Sequence, residues 1–174
     1  VKEYVRKDTR IRIIVQKNRE GKASAINYYL SQAKGEIIVL ESGDTVPGTE
    51  TIDRLVEPFE NPNVGMTGAH PVPVNDRNSF IGFVVHMMWG LHHRIATESP
   101  KLGELVAFRN LVKKIPNDSA VDEASIEAII RDAGLKLCYC RDAVVKNKGP
   151  ETISDFLKQR RRIAAGHKHL AREQ

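Results

Sequence analysis

The sequence predicts an α/β domain built on a parallel or mixed sheet, on three observations. Short apolar runs alternate with segments of helical period. Gly or Pro punctuates many of the junctions. No internal repeat or low-complexity tract suggests a different architecture. A chain of 174 residues is long enough for one domain with a real core.

The elements follow in order. VKEYVRKDTRIRIIVQ reads as the end of a helix entering a strand, Arg12 to Gln16. A chain that opens on Val1 in mid-architecture reads as a fragment. Ala23, Ile26, Leu30 and Ala33 recur at helical spacing and predict a helix over Lys22–Ala33, stopped by Gly35. Glu36–Leu40 is a continuous apolar run, the pattern of a strand covered on both faces. A helix over Thr49–Glu60 lies between Pro47-Gly48 and Asn61-Pro62, and Val64–Thr67 is the next strand. Phe80–Thr97 is a long apolar helix, followed by GELVAFRN, Gly103 to Asn110. A helix over Asp122–Ala133 ends at Gly134. Strands Lys136–Tyr139 and Ala143–Asn147 precede a last, very basic helix over Thr152–Leu170.

Composition excludes little. Hydrophobic residues make up 41% and charged residues 28%, ordinary for a soluble globular protein. A net charge of +5 suits phosphate-bearing ligands, an acidic membrane surface or nucleic acid without choosing among them. An aromatic content of 6% argues against base-stacking platforms. No apolar run is long enough to span a bilayer and no signal peptide is visible. Cys138 and Cys140, two apart in a strand, would form a strained disulfide, so both read as reduced residues of a cytosolic protein.

The richest stretch is NREGKASAIN, Asn18 to Asn27, followed by a strand that runs into ESGDTVPG, Glu41 to Gly48. A basic loop with one glycine opens a helix, and the next strand ends in an acidic turn. That order brings Lys22 and a helix N-terminus near an acid at a strand's C-terminal end, a place suited to a diphosphate held with a divalent metal. A charged surface connection is the plainer alternative.

Four segments in order then resemble the catalytic core of family 2 inverting glycosyltransferases, which have the GT-A fold. NREGKASAIN is similar to the family's basic–glycine–lysine helix start. IIVLESGDTVP resembles the strand leading to its Asp-x-Asp turn. GELVAFRN resembles its glycine-to-arginine acceptor segment, with Gly103 and Arg109 at the ends. DEASIEAIIRDAG with Gln159-Arg160-Arg161-Arg162 resembles the paired-acid helix and Gln-x-x-Arg-Trp motif of membrane-associated synthases. The resemblance covers nearly the whole chain. It implies one catalytic domain over residues 1–174, with a mixed, mostly parallel sheet flanked by helices and without the family's first nucleotide-binding strand.

The resemblance also assigns roles. Asp44 would hold manganese or magnesium on the donor diphosphate. Asp122 or Glu123 would be the base that takes the acceptor hydroxyl proton. Lys22, Gln159, Arg160 and Arg162 would meet the diphosphate. Neighbouring residues on a helix point about 100° apart, so at most two of Arg160, Arg161 and Arg162 serve one site. The donor would be a nucleotide-diphosphate sugar, with uridine the family's commonest base. The acceptor would be a carbohydrate or a lipid-linked molecule, and nucleic acid is not among the expected partners. The full-length protein would work on the cytoplasmic face of a membrane, with peripheral contact to it.

Two departures stand out. Ser42 replaces the first acid of the Asp-x-Asp turn, and Ile163 replaces the motif's tryptophan, which leans towards single addition over polymerisation. The half-lost turn favours one alternative, a degenerate module that binds nucleotide sugar without turnover; the QRRR helix and a pI near 9.3 favour a second, a basic adaptor for anionic lipid or nucleic acid. His86 and His93, seven apart on one helix with His92, raise a zinc site, but bordering the acceptor cleft or packing beside Trp89 is the simpler expectation. The apolar helix with Met87, Met88 and Trp89 reads as core, with a membrane interface or an apolar acceptor as alternatives.

Overall fold

The computed structural model describes residues 2–16, 18, 20–117 and 122–173, with side chains to 166. Val1 and Arg19, quoted above, lie outside the described residues. Five strands, β1 (Ile37–Glu41), β2 (Thr45–Pro47), β3 (Val64–Pro73), β4 (Leu105–Arg109) and β5 (Lys136–Asn147), form one sheet in the order β1-β4-β3-β5-β2. The sheet is mixed, as expected, but mostly antiparallel and not mostly parallel. β3 and β5 run parallel, while β1/β4, β4/β3 and β2/β5 are antiparallel neighbours.

The helices are α1 (Lys2–Lys7), α2 (Lys22–Leu30), α3 (Thr51–Val56, continued by a 3-10 turn over Glu57–Glu60), α4 (Phe80–Glu98), α5 (Asp122–Asp132) and α6 (Ile153–Glu173). They cover both faces of the sheet, and alternate residues of β4 serve the two faces. Val106 and Phe108 join Ala23, Ile26 and Leu30 of α2 and Ile126 and Ile130 of α5. Leu105 and Ala107 join Leu55 of α3, with Ala143 and Val145 of β5. Each large apolar side chain buried here stabilises the fold by about 1.5–3 kcal/mol. α5 lies close on β3: a Cβ added at Gly65 would stand 2.6 Å from Ile130 and from Leu135. That contact fixes where the start of α5, and its acids, must sit.

Local signals placed the helices well, and long-range pairing changed the strands. Residues 11–16 form no strand, and Ile11, Ile13, Ile14 and Val15 are exposed. Their β-branched pattern is sound, but no described strand pairs with them, and an unpaired strand is not stable alone. The same cause leaves β1 at the sheet's edge with only Ile38 buried, not covered on both faces. The two strands expected after α5 are one, β5, whose pairing with β3 shifts register between Gly68 and His70. Cys138 and Cys140 are free thiols within it. Among the described residues no helix is long and apolar enough to cross a membrane.

Candidate active site

One end of the sheet gathers the turn after β1, the start of β4, the end of β5 and the first turns of α2 and α5. α4 and α6 close the other side. Between them lies a cavity of about 920 Å³. Lys22, Asp44, Gly103, Asp122 and Glu123 line it, and Gln159, Arg160 and Arg162 line it from α6. Residues more than a hundred positions apart in sequence thus share one volume.

At its base, Lys22 Nζ sits 3.1 Å from Asp122 Oδ2 and 3.2 Å from Glu123 Oε1. The Asp122 side chain is only 4% exposed, against 20% for Glu123 and 54% for Lys22. Burial raises the Asp122 carboxyl above its ordinary value, and the hydrogen bond from Lys22 only partly opposes this. The other oxygen, Oδ1, is buried without a partner. Burial also pulls on the Lys22 ammonium, but the charges of Glu123 and Asp122 outweigh it and leave its pKa raised. An acid that holds a proton more readily than usual, with one free lone-pair site at a cavity wall, has the properties of a general base. Lys22 thus bridges the acid pair, while its half-exposed side chain lines the same cavity as Asp44 and the α6 residues.

Beside this pair stands an oxygen-rich corner. Asp44 lies in the turn between β1 and β2, and Ser42 and Asn147 line the cavity next to it. So does Glu104, which the sequence reading quoted inside GELVAFRN without giving it a role. Burial raises the Glu104 carboxyl, the charges of Asp44 and Glu123 add to the rise, and a side-chain hydrogen bond with Asn147 opposes it. Asn147 is 6% exposed, and its Oδ1 has no partner. Among the described residues no three His, Cys, Asp or Glu side chains form a ready metal cage. A hard cation sharing diphosphate oxygens needs only one or two carboxylates, however, and the unpartnered amide oxygen fits such an ion. The corner therefore fits the divalent metal that the Asp-x-Asp turn implies.

The far wall is cationic and apolar. Arg160 lies 5.7 Å from the Phe156 ring centroid, contacts Gln159 Oε1 at 3.1 Å and Met88 Sδ at 3.3 Å, and keeps Nε buried without a partner. Burial lowers the guanidinium from its ordinary value, against the pull of Glu104. Met88, Trp89, His92 and Ile95 present one face of α4 to the cavity. The His92 ring meets Trp89 edge-on at 5.2 Å, the packing beside Trp89 that is one of the two expectations. His93 instead stacks on His70 at 3.9 Å and meets the Tyr139 hydroxyl at 2.9 Å, while His86 hydrogen-bonds the Asn75 carbonyl. α4 is not wholly core: Ile81, Val85 and Ala96 are buried, but Phe80, Phe83, Met87 and Leu91 are exposed.

Arg109 is the residue that the structure moves away. It sits at the opposite end of β4 and does not line the cavity. Its Nε donates to the Val64 carbonyl at 2.8 Å, its Nη2 to those of Phe59 and Asn61 at 2.9 and 3.2 Å, and it lies over the Phe59 ring. A guanidinium so engaged joins β4 to the loop before β3 and is not available to an acceptor. Of the residues that sequence reasoning missed, only Glu104 carried a signal, a charge set between a glycine and an apolar run. Asn147 carried none.

Comparison with known proteins completes the assignment. No curated protein matches the chain. The mannosyltransferase PcManGT from Pyrobaculum calidifontis, solved in complex with GDP-Man and Mn2+, superposes with a TM-score of 0.70 at 22% identity, over 94% of this chain and 46% of that one. Mannosyl-3-phosphoglycerate synthase from Rubrobacter xylanophilus gives 0.54 at 15% identity, over 84% of this chain and 49% of that one. Glucosyl-3-phosphoglycerate synthase from Mycobacterium tuberculosis, with Mn2+ and UDP-glucose, gives 0.54 at 14% identity, over 88% of this chain and 54% of that one. The chain spans about half the length of these structures. At these identities the likeness is one of fold, the GT-A arrangement expected from the sequence. Residues 1–121 match the profile of glycosyl transferase family 2, and the chain belongs to that family.

Proposed function

We propose that this chain is the catalytic core of a glycosyltransferase that moves a sugar from a nucleotide-diphosphate donor to an acceptor hydroxyl with inversion. One observation carries the reading. An acid pair with a buried, proton-retaining member shares a cavity with Asp44 and with the Gln159, Arg160 and Arg162 face of α6. The acceptor oxygen would attack the anomeric carbon while Asp122 or Glu123 takes its proton. The bond from that carbon to the diphosphate oxygen breaks, and the electron pair leaves with the diphosphate. Gln159, Arg160 and Arg162 would receive that charge, with guanidinium groups able to hold two oxygens at once.

Asp44 would hold manganese or magnesium, which would neutralise diphosphate charge when bound. The solved neighbours with Mn2+ and GDP-Man or UDP-glucose support both cofactor and donor class. Uridine is the first base to test. The apolar wall of Met88, Trp89 and Ile95 suits the hydrophobic part of a lipid-linked acceptor, and Gly103 leaves room on that side. The exposed Phe80, Phe83, Met87 and Leu91 of α4 would then face the cytoplasmic surface of a membrane, with the basic α6.

Ser42 favours the rival reading, a module that binds without turnover. Calorimetric titration of Mn2+ with UDP, and then with GDP, into the full-length protein and its Asp44→Ala variant separates these readings. Metal-dependent nucleotide binding that Asp44→Ala loses, followed by transfer to an acceptor, supports the enzyme. Binding without any transfer or donor hydrolysis leaves the module. Binding of neither nucleotide removes the donor site.

A further inference from the structure

Ser42, which stands where the resemblance implies the first acid of the turn, faces an acid across the sheet. In the β1/β4 ladder Glu41 pairs with Leu105, and the ladder continues by one bond, Ser42 N–H to the Glu104 carbonyl at 3.2 Å. Glu104 thus stands opposite the position that lacks its carboxylate. In the β2/β5 ladder Thr45 pairs with Asn147, which places Asn147 across from the residue after Asp44. Asp44, Glu104 and Asn147 all line the cavity, and the Asn147 side chain hydrogen-bonds Glu104.

Two features of this corner make little sense without a cation. Glu104 is the non-glycine residue with a positive φ, 63°, among the described residues, a conformation that L side chains disfavour. Its carboxylate is thereby held towards two like charges, Asp44 and Glu123, with Lys22 and Arg160 as the opposing charges nearby. Independently, Asn147 is buried to 6% exposure with its Oδ1 unpartnered. Buried amide oxygens are nearly always satisfied, so this acceptor calls for a donor or a metal. An all-oxygen set of two carboxylates and an amide suits magnesium or manganese and not a thiophilic metal.

We propose that Asp44, Glu104 and Asn147 Oδ1 are this chain's share of a divalent-cation site, with Glu104 supplying the carboxylate that Ser42 lacks; this rests on reading the cavity as a donor diphosphate site. The two carboxylates would then come from two segments, the turn between β1 and β2 and the residue just before β4.

The test is Mn2+ binding by electron paramagnetic resonance, with and without inorganic pyrophosphate as the minimal diphosphate. The proteins are the wild type, Glu104→Gln, and Glu104→Gln combined with Ser42→Asp. Thermal melts monitor folding, and Glu104→Gln should melt no lower than the wild type because it removes like-charge repulsion. Glu104→Gln should weaken Mn2+ by at least about tenfold, and Ser42→Asp should restore most of that loss by returning the acid to the turn. Mn2+ bound as tightly by Glu104→Gln as by the wild type overturns the assignment. If pyrophosphate still enhances that binding, the donor-site reading survives without Glu104. A Glu104-dependent Mn2+ site indifferent to pyrophosphate would keep the cation site and remove the diphosphate reading. No Mn2+ binding by the wild type overturns both.

Discussion

The two ends of β4 carry charge in opposite circumstances. Arg109 donates to three backbone carbonyls and lies on an aromatic ring. Glu104, five residues earlier and just before the strand begins, faces Asp44 and Glu123 and has an Asn147 hydrogen bond to offset them. One charge is fully employed by the fold, and removing it should damage the fold. The other is held against its electrostatic interest, and removing it should damage only what the cavity does. Groups kept in unfavourable surroundings by a rigid frame are the usual mark of a functional site.

The largest effect should come from the acid pair at the Glu104 end. Made singly, Asp122→Asn and Glu123→Gln should leave nucleotide binding in place, and one of them should lower transfer by about 10²–10⁴-fold. Steady-state rates with a donor and its accepted acceptor give the answer. Full turnover by both variants would remove the base from this pair and weaken the contrast with Arg109.

The opposite end supplies the next effect. Arg109→Ala abandons three carbonyls and the Phe59 ring, and should cost about 2–3 kcal/mol in urea unfolding. At denaturant-free conditions its Mn2+ and nucleotide affinities should match the wild type. A loss of affinity without a loss of stability would return Arg109 to the site.

The same two ends show what the sequence makes legible. The helix stop at Gly134, the apolar spacing of α2 and the acids opening α5 are local, and all could be read directly; α2 itself ends at Leu30, short of the stop expected at Gly35. The meeting of Lys22, Asp44, Asp122 and the Gln159–Arg162 turn was legible only through motif order, because it depends on the strand order. Arg109 was misplaced because its partners lie 45 to 50 residues away, at Phe59, Asn61 and Val64. Glu104 was passed over because its backbone, at φ 63°, turns a strand-like residue into the cavity. The strand expected over Arg12–Gln16 failed for a related reason: a β-branched run shows a capacity to pair, and pairing needs a partner that local pattern does not reveal.

A pH titration of stability sharpens the contrast further. The folded chain binds the Asp122 proton more tightly than the unfolded chain does, because burial raises that carboxyl and Lys22 only partly compensates. The contribution of this proton is complete below the unfolded-state carboxylate pKa and is lost as pH rises through the folded value. Asn at this position does not titrate. The stability of Asp122→Asn minus that of the wild type should therefore climb as pH rises from the ordinary carboxylate range. A difference that falls over the same window would mean that the ion pair with Lys22 dominates. A variant that gains stability while losing transfer would place Asp122 firmly with Glu104, on the functional side of the comparison.

The smallest effect tests whether distance or surroundings sets the value of an arginine. Arg54 Nη2 lies 2.6 Å from Glu50 Oε2, closer than any contact of Arg109, yet the two side chains are 47% and 68% exposed. Water and salt screen such a pair, and ordering two long side chains offsets what attraction remains. Arg54→Ala should leave the urea midpoint unchanged at physiological salt. The carbonyls that hold Arg109 differ in kind: they are backbone acceptors beside a packed ring, and they lose their donor when the guanidinium goes. If Arg54→Ala proved as costly as Arg109→Ala, contact length would be the better guide, and the two ends of β4 could no longer be told apart by how far the fold satisfies them.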